Sequence, residues 1–261
     1  MAQWSMEKEN TVFRRSKILE MIEEKGRLNV QELSAYFKVS EVTIRNDLGQ
    51  LEQKGLLIRT RGGAIRNQRV GVDSRLSEKA RRNRAEKMCI GKKAAALIRD
   101  GETIILDSGT TTFELARNLS AFSELTVITN ALNIAIYLAG LKSIKVIVPG
   151  GLLREPSLSL VGPSAGESLR NYYCDKAFLG VDGIDTAYGV TTPNLEEAHL
   201  NRAMIRNARE VIVLTDSSKF SKRSFAFIAP VTEIDKIVTD NRIRKEDMEL
   251  LISAGVDVVT C

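Results

Sequence analysis

The sequence predicts a two-domain α/β protein: a small helical front unit closed by a hairpin, then a larger rear unit on a mainly parallel sheet. Three observations lead there. The 261 residues exceed one average domain of roughly 150 residues and fall short of three. Residues 1–90 hold 19 basic and 12 acidic residues, a net +7, whereas 91–261 hold 19 and 21, a net −2. Helical patterns fill the front, and continuous apolar runs alternating with helical runs fill the rear.

Composition narrows the function classes. Hydrophobic residues at 43% suffice for a real core. The polar start lacks the apolar segment of a signal peptide, and no apolar run reaches the ~18 residues of a membrane span, so a cytoplasmic chain without membrane contact is expected. Cys89, Cys174 and Cys261 lie far apart, which excludes a zinc ribbon or a disulfide scaffold. His199 is the one histidine, so neither a metal centre nor a Ser-His-Asp triad is expected. It reads as a surface or packing residue.

The front unit resolves into three helices. Ile18, Met21 and Ile22 set a helix over Arg14–Lys25 that Gly26 ends, and Val30, Leu33 and Phe37 mark a second. Ser40 is a natural cap for a third, from Glu41 to about Lys54, with Gly55 beyond its end. Ile44, Leu48 and Leu51 share one face of that helix. The opposite face carries Val42, Asn46, Gly49 and Gln53, flanked by Thr43, Arg45 and Gln50. Arg and Asn pair bidentately with guanine and adenine edges in a major groove. A hairpin around Gly62-Gly63 follows, with Arg59, Arg61 and Arg66 placed for phosphates or a minor groove. Together these predict a winged helix-turn-helix over 1–66 with Ser40, Val42, Thr43, Arg45, Asn46, Arg59 and Arg61 on duplex DNA.

Residues 67–85 read as a linker, Asn67 to about Ser77, running into a helix with a charged first half that continues from Glu78 through Ile98. Over 86–261, strand-like runs fall at 103–107, 125–130, 144–149, 176–181, 211–216, 236–240 and 256–260. Helical runs fall at 113–119, 131–138, 164–171, 194–208 and 245–254. Parallel sheets of this kind bind ligands at the carboxyl ends of their strands. Polar and glycine residues gather at those ends. Asp107-Ser108-Gly109-Thr110-Thr111-Thr112 offers backbone and hydroxyl donors suited to a phosphate, without the lysine of a Walker A loop. Asn130, Gly150-Gly151, Asp182, Glu197 and Lys219 occupy similar positions. Each has a plainer reading: a capping box with Asn194 for Glu197, a turn for Asp182 and for Gly150-Gly151, an exposed lysine for Lys219.

Two runs of motifs resemble the DeoR-type bacterial transcription regulators. In front these are Lys17-Ile18-Leu19, Val30-Gln31-Glu32-Leu33, Val39–Leu48, Leu51–Gly55 and Arg59–Ala64. In the rear they are Leu106–Thr112, Val127–Asn130, Gly150-Gly151, Phe178–Asp182, Thr191–Ala198 and Leu214–Phe220. Asn46 departs from the family's pattern, which carries a second Arg there. The resemblance implies a sensor domain similar in fold to ribose-5-phosphate isomerase that binds a sugar phosphate. Ser108, Gly109, Thr110 and Thr111 would hold the phosphate. Asp107, Asn130, Asp182, Glu197 and Lys219 would face the sugar or the phosphate, with Gly150 and Gly151 nearby. It further implies a repressor of a carbohydrate-utilisation operon, a homodimer or homotetramer on double-stranded operator DNA. The effector would be a phosphorylated sugar, an amino-sugar or tagatose phosphate, with no cofactor, metal or catalytic residue. The alternative is a sugar-phosphate isomerase or deaminase with an accessory DNA-binding domain, in which Asp182, Glu197 and Lys219 transfer protons.

Overall fold

The computed structural model describes residues 2–53, 56–66 and 73–261, with the backbone alone at 2–10, 23, 24 and 66. It divides into two compact units, Met1–Val72 and Asp73–Cys261. Gly55 and residues 67–72 of the linker lie outside the described residues, as does the Arg66 side chain.

The first unit runs α1 (Ala2–Lys25), β1 (Arg27–Asn29), α2 (Val30–Phe37), α3 (Glu41–Gln53), β2 (Leu57–Thr60) and β3 (Gly63–Arg66). The Asn29 side chain accepts the Gln31 N–H at 2.8 Å and starts α2. Lys38, left-handed at φ 53°, ends it. Ser40 Oγ accepts the Thr43 N–H at 3.1 Å and starts α3. Ile44, Leu48 and Leu51 are buried with Ile18, Ile22 and Leu33. The hairpin gains a third strand, β1, on the outer side of β3. Gly62 turns it at φ +87°, and a Cβ on Gly63 would stand 2.0 Å from the Leu28 carbonyl oxygen. The wing therefore requires glycine at both positions.

One polar contact ties α1 to α3. Asp47 is 1% exposed, and its two carboxylate oxygens accept from Arg14 Nε at 2.5 Å and Arg15 Nε at 2.6 Å. The apolar stripe of α3 thus includes a carboxylate that burial forbids leaving unpaired.

The second unit runs α4 (Leu76–Arg81), α5 (Arg84–Ala95), β4 (Thr103–Leu106), α6 (Thr110–Ala116), β5 (Leu125–Thr129), α7 (Leu132–Ala139) and β6 (Ile144–Ile147). It continues through β7 (Leu152–Arg154), β8 (Ser159–Val161), α8 (Pro163–Leu169), β9 (Cys174–Gly180), β10 (Gly183–Asp185), β11 (Gly189–Thr192) and α9 (Leu195–Arg206). Last come β12 (Ala208–Leu214), β13 (Ala226–Ala229), β14 (Lys236–Thr239), α10 (Lys245–Ser253) and β15 (Asp257–Thr260). Seven strands form one parallel sheet in the order β15-β14-β12-β9-β4-β5-β6. Alternate side chains feed two cores. Ile104, Leu106, Phe178 and Leu214 pack under α5, α6 and α7, and Ile105, Leu179 and Val213 pack under α8, α9 and α10.

Two expectations are corrected here. The single helix from Glu78 is two, broken at Arg82-Asn83 with Asn83 left-handed at φ 50°, and α4 begins inside the expected linker at Leu76. Asn83 tolerates that conformation, and its side-chain amide is fixed by donation to Asp216 Oδ1 at 2.7 Å. The chain also adds short strands the sequence did not announce, an antiparallel sheet β10-β11-β13 and a hairpin β7-β8.

Two substitutions test the first unit's packing. Leu48→Ala is expected to cost about 3 kcal/mol through the cavity it leaves. Asp47→Ala is expected to cost about 2 kcal/mol, because the arginines it releases reach water and escape the full penalty of a stranded buried charge. Amide exchange of α3 in the intact chain under native conditions measures both.

Candidate functional site: an exposed helix face and a polar cavity

In the first unit, the outward face of α3 presents Val42 at 62% exposure, with Arg45, Asn46 and Gln50 also exposed. Ser40 is exposed, and its hydroxyl lies 2.9 Å from that of the half-buried Thr43. Arg45 forms an i,i−4 ion pair with Glu41, so the guanidinium must leave Glu41 to reach a base. Arg59 and Arg61 are exposed on the wing, and Glu52 accepts the Arg59 N–H at 2.9 Å, joining the wing to α3. The residues expected on DNA are therefore accessible and on two adjoining elements.

In the second unit the chain reverses direction at β4. Connections run from β4 through β5 to β6 on one side, then return to β9 on the other. Loops leaving β4 and β9 diverge there, and a crevice opens beyond their carboxyl ends. A polar cavity, partly open to solvent, occupies this place. Asp107, Ser108, Gly109, Thr110 and Thr111 line it after β4, and Gly180 and Asp182 after β9. Thr215, Asp216 and Lys219 follow from β12, and Glu197 and Asn201 come from α9.

The charges sort into two poles. At one, Asp182 accepts from Lys79 Nζ at 2.9 Å and Lys219 Nζ at 3.2 Å. Burial raises the Asp182 carboxyl, but the two ammonium groups outweigh it and hold it well below the usual carboxylate range. Lys87 is buried beside them and donates to the Lys79 carbonyl. Burial chiefly, opposed by Asp216 and helped by Lys219 and Lys79, brings its ammonium down to about 8. At the other pole stand Asp107 and Glu197. Burial, then the charge of Glu197, push Asp107 up to about 7 against the Ser108 and Gly180 N–H groups and Asn201. Glu197 accepts from Arg154 and Ser159 at 3.2 Å and from Thr192 at 3.3 Å. Its backbone N–H is capped by Asn194, while its carboxylate turns inward.

The structure brings eight of the eleven expected ligand residues together. Asn130, Gly150 and Gly151 do not line the cavity. Asn130 is buried and donates to the Leu160 carbonyl at 3.4 Å. Gly151 takes φ +140°, and a Cβ there would stand 2.6 Å from the Val161 carbonyl oxygen, a demand of backbone packing beside β8. The exposed His199 stands apart from the cavity lining.

Residues 14–70 match the DeoR-like helix-turn-helix domain and residues 82–241 the DeoR C terminal sensor domain. The chain belongs to the DeoR family of transcription regulators. It is 42% identical to a putative aga operon transcriptional repressor of Escherichia coli O157:H7, over 94% of this chain and 92% of that one. It is 36% identical to the HTH-type transcriptional repressor GlcR of Bacillus subtilis (strain 168), over 93% of each chain. As a DeoR-family member it is a DNA-binding regulator and not an enzyme, which removes the isomerase alternative. Among solved structures, ribose 5-phosphate isomerase A from Methanocaldococcus jannaschii matches with a TM-score of 0.40 and 21% identity, over 54% of this chain and 56% of that one. No helix among the described residues is long and apolar enough to cross a membrane.

Sequence reasoning missed Lys79, Lys87 and Asn201 in the cavity, and Arg154 behind Glu197, whereas Asp216 lies in the strand-end loop 215–219 that it placed at the pocket. Lysines on a charged helix read as solvated, and only the pairing with Asp182 reveals where Lys79 points. Asp47 carried a readable signal, since a carboxylate between Ile44 and Leu51 on one helix face must find cations.

The raised Asp107 makes a pH prediction. Unfolding returns its carboxyl to 3.8, so between about pH 4 and pH 7 the folded chain keeps a proton that the unfolded chain has lost. This contribution to stability is fully present below that window and lost as pH rises through it, by up to ~1.4 kcal/mol per pH unit. Asp107→Asn is expected to melt above the parent at pH values above about 7, the gap closing toward about pH 4, as scanning calorimetry would register.

Proposed function

We propose that this regulator represses an operon for carbohydrate use, specifically of amino sugars, and that a phosphorylated sugar in the cavity changes its grip on operator DNA. The observation that carries this reading is the pair of poles in one crevice. A cationic pole suits a phosphate, and an acidic, hydrogen-bonding pole suits the hydroxyl or ammonium groups of a small sugar. On this reading Ser108, Gly109, Thr110, Thr111 and Lys219 hold the phosphate, the N–H groups at the start of α6 having no acceptor within the helix. Asp107 and Glu197 hold the sugar, and Asp182 orients Lys219. An amino-sugar phosphate is the first candidate, supported by the relative named for the aga operon, and a tagatose phosphate the second.

The DNA-facing residues read as Ser40, Val42, Thr43, Arg45 and Asn46 in the major groove, with Arg59 and Arg61 on the backbone or minor groove. Two copies or four would place winged helices on two half-sites of a symmetric operator, in the cytoplasm. For the effector to act, its affinity must differ between DNA-competent and DNA-incompetent arrangements.

Fluorescence anisotropy with an operator fragment selected from genomic DNA tests the reading. Galactosamine 6-phosphate, N-acetylgalactosamine 6-phosphate and tagatose phosphates are titrated in. At least one is expected to shift operator affinity by tenfold or more, and no shift with any of them overturns the proposal. Arg45→Ala is expected to weaken operator binding by about 1–3 kcal/mol while changing random-DNA binding far less. Equal losses would leave Arg45 a phosphate contact.

A further inference from the structure

The helices that enter the second unit supply part of its cavity wall. Lys79 projects from α4 and Lys87 from α5, and both line the cavity with Lys219. The two helices are held in different ways. Gly91 lets α5 press against α6 so closely that a Cβ there would stand 2.5 Å from the Glu114 carbonyl carbon, and Ile90 and Ala94 are fully buried beneath it. By contrast α4 buries no side chain. Its fastenings are polar: the Leu76 N–H donates to the Pro156 carbonyl at 2.8 Å, and Lys79 reaches Asp182. Just before it, Asp73 pairs with Arg154, which also holds Glu197.

We propose that Lys79 and Lys87 are direct ligands of the effector's phosphate, so that the anion fastens α4 to the body of the sensor. This rests on the phosphate-binding reading given above and adds which segment the ligand seizes. The geometry supports it in three ways. Lys79 and Lys219 share Asp182, so a single anion lodged between the lysines meets both. Lys87 Nζ holds the Lys79 carbonyl, so the two lysines are linked through the backbone of α4. Three ammonium groups share this pole with two carboxylates, Asp182 and Asp216, the latter also accepting from Asn83 and from the Ser218 N–H at 3.1 Å, so one positive charge is left over. A phosphate meets that remaining positive charge, in a site where charge-assisted hydrogen bonds are strong.

The consequence is regulatory. Only residues 67–75 separate β3 from α4, so a ligand that orders α4 restricts the stretch leading to the winged unit. An element with no fully buried side chain opens at low cost, so α4 has order to gain when the cavity fills.

The test uses the full chain, with inorganic phosphate and galactosamine 6-phosphate as probes. Hydrogen exchange of amides 76–83 and calorimetric titration are run on the parent, Lys79→Gln and Lys87→Met. Lys79 is half-buried on a helix without core contacts, so Lys79→Gln is expected to fold, and its melting curve checks this. In the parent, either probe is expected to slow exchange across 76–83 by tenfold or more. In Lys79→Gln that slowing is expected to vanish and affinity to fall about tenfold, with Lys87→Met losing a comparable amount. Binding to Lys79→Gln within twofold of the parent, or parental binding that leaves exchange of 76–83 unchanged, overturns this inference alone. Absence of any binding to the parent overturns the phosphate reading itself.

Discussion

The pairing of β4 with β9 at the centre of the seven-stranded sheet is the constraint on which the sensor unit depends. Parallel pairing aligns Ile104, Ile105 and Leu106 with Lys176, Ala177 and Phe178, and places the ends of both strands side by side. Because the chain leaves β4 toward one edge and β9 toward the other, a gap opens between the loops. Asp107 and Asp182 then face one space from opposite flanks, although 75 positions apart in sequence. The hydrogen bond from the Gly180 N–H to Asp107 Oδ2, at 3.2 Å, crosses that boundary. Reversing the order of the strands would scatter these loops along the sheet and leave caps in place of a cavity.

That placement also explains how the fold tolerates so many buried charges. An isolated carboxylate in an apolar interior changes its protonation or finds a partner, and the cavity shows both outcomes. Asp182 stays ionised because two lysines reach it. Asp107 has no cationic partner among the described residues, faces Glu197, and moves toward neutrality near physiological pH. Glu197 is paired with Arg154. The same rule operates in the winged unit, where Asp47 sits on the apolar face of α3 and draws two arginines of α1 onto it. A carboxylate fixes an angle between helices there, as carboxylates fix lysine positions in the sensor.

Much of this was legible in the residues. All seven strands of the main sheet announce themselves as apolar runs such as Ile104-Ile105-Leu106 and Val211-Ile212-Val213-Leu214, because strands covered on both faces have little use for polar residues. The winged unit was legible from Ser40 as a cap and from Gly62-Gly63 as a turn. What escaped was short or dependent on distant partners. Strands β7, β8 and β10 are three residues each, too brief for a period of two to register. The break at Asn83 depends on Asp216, 133 positions away. Asn130 and Gly151 follow strands, as ligand residues do, yet Asn130 donates to the Leu160 carbonyl and Gly151 packs against Val161, both in β8.

The lysines show why a site can be half visible. Lys219 follows β12 in a loop where function is expected, whereas Lys79 and Lys87 lie in a run of charges, Lys79-Ala80-Arg81-Arg82-Asn83-Arg84-Ala85-Glu86-Lys87, whose plain reading is a solvated surface. A helix with no fully buried side chain stays on a sensor body through polar contacts, here a backbone hydrogen bond and the Lys79–Asp182 ion pair, and the ion pair responds to a charged ligand. Apolar packing holds α5 whatever the cavity contains. For α4 the balance of charge at Asp182 is a main fastening, and altering that balance alters the first helix of the sensor unit. A ligand can shift a conformational equilibrium only by its difference in affinity for the two states, and contacts to a segment that is fastened in one state and loose in the other supply such a difference.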